Sequence, residues 1–96
     1  MITVIAKYRV KKESAEEAKK LIRKFVTRVK DKEPETIVYE SFQLKNDVCE
    51  FLNYMKFANA AAREFHQNTD YVKKFAKKLY PLCEKNPEFI QLEGFY

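Results

Sequence analysis

Tryptophan is absent from this sequence, and glycine and histidine occur once each, as Gly94 and His66. A single glycine leaves no room for a glycine-rich phosphate loop or a dinucleotide-binding turn, because both need several glycines for close backbone approach. There is no G-x-S-x-G elbow, and no cysteine and histidine stand at a recognisable nucleophile spacing. Cys49 and Cys83 do not form a C-x-x-C pair, and one histidine cannot complete a zinc-finger set. Both cysteines read as reduced structural thiols, Cys49 as a small apolar residue in a strand. No metal site is expected. No apolar run approaches the ~18 residues of a membrane span. The opening MITVIAKYRV alternates, with no basic leader or small-residue cleavage site. The expectation is a cytoplasmic protein with no membrane partner.

What is present fits one domain over residues 1–96. Apolar residues make up 46% of the chain, enough for a core. A chain of this size buries only ~60–70% of its unfolded surface, so a dimer would help it. The net charge of +5 could attract nucleic acid. Its placement argues against that. Lys73, Lys74, Lys77 and Lys78 fall on the polar side of one helical segment. Lys19, Lys20, Arg23 and Lys24 do so on another, beside Glu13, Glu16 and Glu17. Such patterns read as solvated helix faces, and no nucleic-acid partner is expected.

The periodicity yields seven elements. Ile2 to Val10 alternates and reads as a strand. Ser14 with Glu17 reads as a capping box opening a helix to about Lys32. Its apolar stripe is Ala15, Ala18, Leu21, Ile22, Phe25, Val26 and Val29, and Pro34 stops it. Thr36 to Leu44 and Cys49 to Phe57 read as strands joined by the turn Lys45-Asn46-Asp47. Asn59 caps a short helix through about His66, and Thr69 caps another that ends near Pro81. Phe89 to Phe95 is the last strand.

The order β-α-β-β-α-α-β implies an α+β, ferredoxin-like fold: a four-stranded antiparallel sheet with helices on one face. The strands are apolar on both sides. In the third, Cys49, Phe51, Met55 and Phe57 face one way and Leu52 and Tyr54 the other. A sheet wet on one face alternates more cleanly. The expectation is a homodimer packed face to face through the second sheet surface.

Asn53 shares a strand face with Phe51 and Phe57. A buried amide needs partners, from the backbone and water or from a ligand oxygen. His66 ends the short helix. From spacing alone it reads as a half-exposed ring at a helix C-terminus, or as an acid, base or ligand near neutral pH. Of the strand aromatics, most read as core or interface, and one or two could line a ligand site.

The chain resembles the antibiotic biosynthesis monooxygenase family of small dimeric α+β barrels. The likeness is carried by MITVIAKYRV, the strand VYESFQL, the run FLNYMKF, then AAAREFH and YVKKF. Phe57, His66 and Pro81 stand where the family commonly has an aromatic, a histidine and a proline. An asparagine four residues before that aromatic, here Asn53, also occurs in some members. Two positions depart: Phe57 stands where tryptophan is frequent, and Met55 where glutamate is frequent. The resemblance implies a dimer with a pocket between sheet and helices, and oxidation of quinols or anthrone-like aromatics by O₂ with no cofactor. The resemblance also implies that heme degradation is disfavoured, since the heme-degrading relatives depend on an asparagine in the first strand and this first strand has none.

The expected function is therefore a cofactor-independent monooxygenase acting on a small aromatic substrate with O₂. His66 is expected as base and Asn53 as oxyanion donor, with Phe57, Phe51 and Tyr54 as pocket wall. An alternative comes from the F-H-x-x-T stretch at Phe65–Thr69. It resembles the isomerase branch that processes phosphorylated autoinducer-2, in which His66 would shuttle a proton on a small phosphorylated ketone. A non-catalytic ligand-binding dimer is a third reading. An RNA-binding sheet is disfavoured, because the glycine-containing signature is missing and Phe51 and Tyr54 point to opposite faces.

Overall fold

In the computed structural model, which describes residues 1–95, the elements follow the expected order. They are β1 (Ile2–Arg9), α1 (Ala15–Lys32), β2 (Thr36–Leu44), β3 (Asp47–Phe57), α2 (Ala60–Gln67), α3 (Asp70–Leu79) and β4 (Glu88–Leu92). The strands form one sheet in the order β2-β3-β1-β4, and every neighbouring pair is antiparallel. This is the α+β ferredoxin-like arrangement. No helix is long and apolar enough to cross a membrane among the described residues.

Period-two patterning sets which side chains meet the helices. On β3, Cys49, Phe51, Asn53, Met55 and Phe57 are buried, while Glu50, Leu52, Tyr54 and Lys56 are partly exposed on the other face. β1 supplies Val4, Ala6 and Tyr8 to the same inner face. α1 lays Ala15, Ala18, Ile22, Phe25 and Val29 onto it, with the small residues Ala15 and Ala18 among the buried set. Near the start of β3, the core is Tyr8, Val10, Ile22, Phe51 and Leu79. Near its end it is Val4, Phe25, Val29, Met55 and Phe57.

Two helix starts are capped as their residue types predict. The Asn59 side chain accepts from the Ala62 N–H at 2.9 Å, and that of Thr69 from the Val72 N–H at 3.2 Å. The Ser14 capping box is not formed. A 3-10 turn over Lys12–Ser14 leaves Ser14 at φ −105°, ψ 0°, outside the extended backbone an N-cap side chain needs, and it makes no capping bond.

Three boundaries also differ. β1 stops at Arg9, and Val10 makes only a single bridge to Cys83. Asp47 belongs to β3 rather than the turn, because it pairs with Leu44 in the ladder; its Oδ1 accepts from Cys49 N–H at 3.1 Å and its Oδ2 from Arg9 at 2.7 Å. The Arg9 guanidinium, and then the Cys49 amide, hold that carboxyl below the usual range. β4 ends at Leu92, since its ladder to β1 closes at the Thr3–Leu92 pair. Both cysteines are free and buried.

Candidate active site

A cavity of about 310 Å³ opens between the inner sheet face and α2, α3 and the approach to β4. Three of the residues singled out by sequence, His66, Asn53 and Phe57, line it together. Two do not. Tyr54 projects from the opposite face of β3, where Lys56 Nζ lies 5.9 Å from its ring centre. Phe51 is on the inner face but lies outside this cavity and stacks on Tyr8, with ring centres 5.7 Å apart.

His66 is buried, not half-exposed, with 6% of its surface accessible. Its helix position follows from the Asn59 cap and the restart at Thr69, whose hydroxyl donates to the His66 carbonyl at 3.0 Å. Its Nδ1 lies 2.8 and 3.1 Å from the two oxygens of Glu33. That carboxylate is buried and accepts two further bonds, from the Thr36 hydroxyl at 2.7 Å and from the Tyr71 hydroxyl.

Glu33 arrives there through a local rule. It caps the C-terminus of α1, and the following Pro34 disfavours helical backbone at the residue before it. The chain turns at φ −125°, ψ 82°, away from helical backbone. A carboxylate at a helix C-terminus opposes the helix dipole, so three converging donors are needed to hold it. An ionised Glu33 can only accept, so the proton of a neutral His66 ring sits on Nδ1. Nε2 then carries the free lone pair, and it has no partner among the described residues.

At the sheet end, Asn53 is held by hydroxyls from β1 and β2. Its Oδ1 accepts from Tyr8 at 3.0 Å and from Ser41 at 2.7 Å. Its Nδ2 donates to the Tyr39 hydroxyl at 3.2 Å. These bonds fix the amide orientation, because two donors meet its oxygen. One Asn53 N–H and the Tyr39 O–H donate to no described residue. Burial pushes the Tyr8 and Tyr39 phenols well above their ordinary range, so both stay protonated donors.

Tyr39 joins the two ends. Its hydroxyl meets Asn53, and its ring centre is 5.7 Å from that of His66. The Phe57 ring, 5.4 Å from His66, closes the wall beneath. Arg63 and Lys73 lie at the cavity rim with Phe89, and Arg63 reaches Gln91 at 2.9 Å.

Sequence reasoning missed Glu33 and Tyr39 as site residues. A glutamate against a helix C-terminus and followed by proline was a signal for the first. Nothing in the spacing separates Tyr39 from the core tyrosines. Among the described residues no three His, Cys, Asp or Glu side chains group as metal ligands. His66, Asn53 and Tyr39 line the same cavity, so an imidazole shares that space with an amide and a phenol that each keep a donor free of described partners.

A family model described as antibiotic biosynthesis monooxygenase matches residues 1–78. No curated protein matches the sequence. A solved antibiotic biosynthesis monooxygenase is similar at 20% identity, TM-score 0.92, with both chains covered completely. A protein of Caulobacter crescentus CB15 named for that family shares 25% identity at TM-score 0.91, over 99% of this chain and 90% of its own. One from Nitrosomonas europaea, also so named, shares 18% at TM-score 0.90, with both chains fully covered.

Proposed function

This chain belongs to the antibiotic biosynthesis monooxygenase family, and from that premise we propose that it oxidises a quinol or other electron-rich aromatic with O₂ and without a bound cofactor. The observation that carries this reading is the His66 ring. Its Nδ1 is committed to buried Glu33, and it lines the same cavity as Asn53 and Tyr39.

His66 Nε2 removes a proton from the ring hydroxyl or activated carbon of the substrate. Asn53 and Tyr39 donate hydrogen bonds to the oxygen on which negative charge gathers. The resulting anion is electron-rich enough to reduce O₂. One oxygen atom joins the substrate carbon and the other leaves as water, so the substrate supplies all the electrons. Phe57 and the apolar wall keep bulk water from the anion. The catalytic residues in this reading are His66, Asn53 and Tyr39; Glu33 is a positioning residue.

An oxygen electrode with anthrone and menadiol as substrates tests it. His66→Ala should cost ~10²–10⁴ in rate as a lost base, and Asn53→Ala ~10²–10³ as a lost donor. Intact oxygen uptake in both variants ends the reading.

Arg63 and Lys73 at the rim favour one second reading, an isomerase of a small phosphorylated ketone in which the same imidazole moves a proton between carbons. Turnover of a phosphorylated ketone with no oxygen consumption would decide for it.

The functional unit we propose is a cytoplasmic homodimer. Phe42, Leu44 and Val48 are about half exposed on the outer sheet face, beside Leu52 and Tyr54. A second copy covering this face would bury them. Light scattering at micromolar concentration should give twice the 11.5 kDa chain mass; a clean monomer excludes the dimer.

A further inference from the structure

A second concavity, a groove of about 220 Å³, lies between α1 and α3 and is separate from the His66 cavity. Its floor is apolar: Leu21 with Phe25 and Phe75, whose rings stack with centres 4.0 Å apart and planes 3° off parallel. Its rim is cationic: Lys24 and Arg28 from α1, Lys74 and Lys78 from α3.

The charges of these two helices read, one helix at a time, as solvated faces. Packing α1 against α3 brings four of them around one hollow. None of the four makes an ion pair with any described residue. Glu17, Asp31 and Asp70, the acids on the adjoining turns, do not pair with them either. Arg28 is oriented over the Tyr71 ring, 5.7 Å from its centre. Four like charges around a low-dielectric floor raise the local potential and concentrate anions. Three stacked or apolar side chains beneath them favour a flat apolar body.

We propose that this groove binds an amphipathic organic anion: an aromatic or acyl body carrying a carboxylate, sulfonate or phosphate. The body lies on Phe25, Phe75 and Leu21, and the acidic group meets the Arg28 fork and the lysines. The groove is made by helices alone, so the outer sheet face that a second copy would cover leaves it open. It also touches the candidate active site. Phe75 lines both hollows, and the Tyr71 hydroxyl donates to Glu33.

The probe is 1-anilinonaphthalene-8-sulfonate, titrated by fluorescence at low and high salt. N-phenyl-1-naphthylamine is its neutral counterpart. Saturable, salt-weakened binding of the sulfonate is expected, with weaker binding of the neutral amine. Arg28→Glu/Lys74→Glu and, independently, Lys24→Glu/Lys78→Glu should each weaken it at least about tenfold. Lys30→Glu/Lys85→Glu, with the same charge change away from the groove, should stay within about twofold. On the unmodified chain, amide shifts in NMR should cluster at 21–28 and 71–78.

Two results overturn the proposal. One is groove variants that match the control pair, with shifts on the sheet instead. The other is loss of binding in Ala76→Phe, which narrows the His66 cavity and spares the groove.

Discussion

At one end of the candidate active-site cavity a buried carboxylate, Glu33, gathers three donors; at the other a neutral amide, Asn53, gathers three hydroxyls. The two clusters are built differently. Glu33, Thr36, His66 and Tyr71 come from the end of α1, the start of β2, the end of α2 and the first turn of α3. Tyr8, Tyr39, Ser41 and Asn53 come from three adjacent strands, and Ser41 pairs directly with Asn53 in the ladder, as does Ala6 from β1. Element ends carry the carboxyl group and the sheet interior carries the amide. The difference underlies the proposed division of work: His66 at the first end would take up a proton, and the remaining Asn53 N–H and the Tyr39 O–H at the second would donate hydrogen bonds.

Removing the charge from the first end is the harshest way to break that contrast. Glu33→Gln keeps the shape but lets the amide nitrogen face Nδ1. The imidazole then carries its proton on Nε2, the wrong tautomer for a base. Rate should fall by as much as ~10³–10⁴ with the fold intact, the scale of loss known when a base is locked in the wrong tautomer. Oxygen uptake together with far-UV circular dichroism checks it. Equal rates would place Glu33 outside the mechanism.

Alkali tests the second end. Tyr8 and Tyr39 have phenol pKa values raised by burial, against about 10 in the unfolded chain. Below about pH 10 both states hold these protons and stability is at its full value. Above it the unfolded chain releases them and the folded one does not, so stability falls by about 1.4 kcal/mol per phenol per pH unit. Urea denaturation between pH 9 and 11 should show the fall setting in near pH 10 and steepening toward that slope as the pH rises. Tyrosinate absorbance from both residues should appear only with unfolding.

The mildest change sharpens the contrast. Tyr8→Phe removes one of two donors to Asn53 Oδ1, and Ser41 still satisfies that oxygen. A loss of about 1 kcal/mol in urea denaturation is expected. A loss several times larger would mean that the Asn53 cluster acts as one cooperative network rather than as separate bonds.

The fold was largely legible because its signals are local. Asn59 and Thr69 declare two helix starts, the alternation of β3 separates Asn53 and Phe57 from Tyr54, and Lys45-Asn46 closes a hairpin. Ser14 misled because cap chemistry needs extended backbone as well as the right residue type, and a 3-10 turn removes it. Phe51 and Tyr54 were proposed as pocket wall on chemistry alone. Residue type cannot tell which end or face of the sheet a cavity occupies. Glu33 was invisible as a partner because 33 residues separate it from His66. Tyr39 was one of six tyrosines, with nothing in its neighbours to distinguish it.

By itself the sequence determined the α+β order and the inner face of β3, because a spacing of two along a strand is converted by backbone geometry into faces. It was the resemblance to the family, not spacing, that singled out His66, Asn53 and Phe57. Only the tertiary structure decided what His66 is: a buried ring with one nitrogen bound to Glu33 and the other left free. It also turned two solvated lysine faces into one cationic groove. Both depend on which element ends and helix faces meet, and no local pattern in the chain encodes a meeting between segments tens of residues apart.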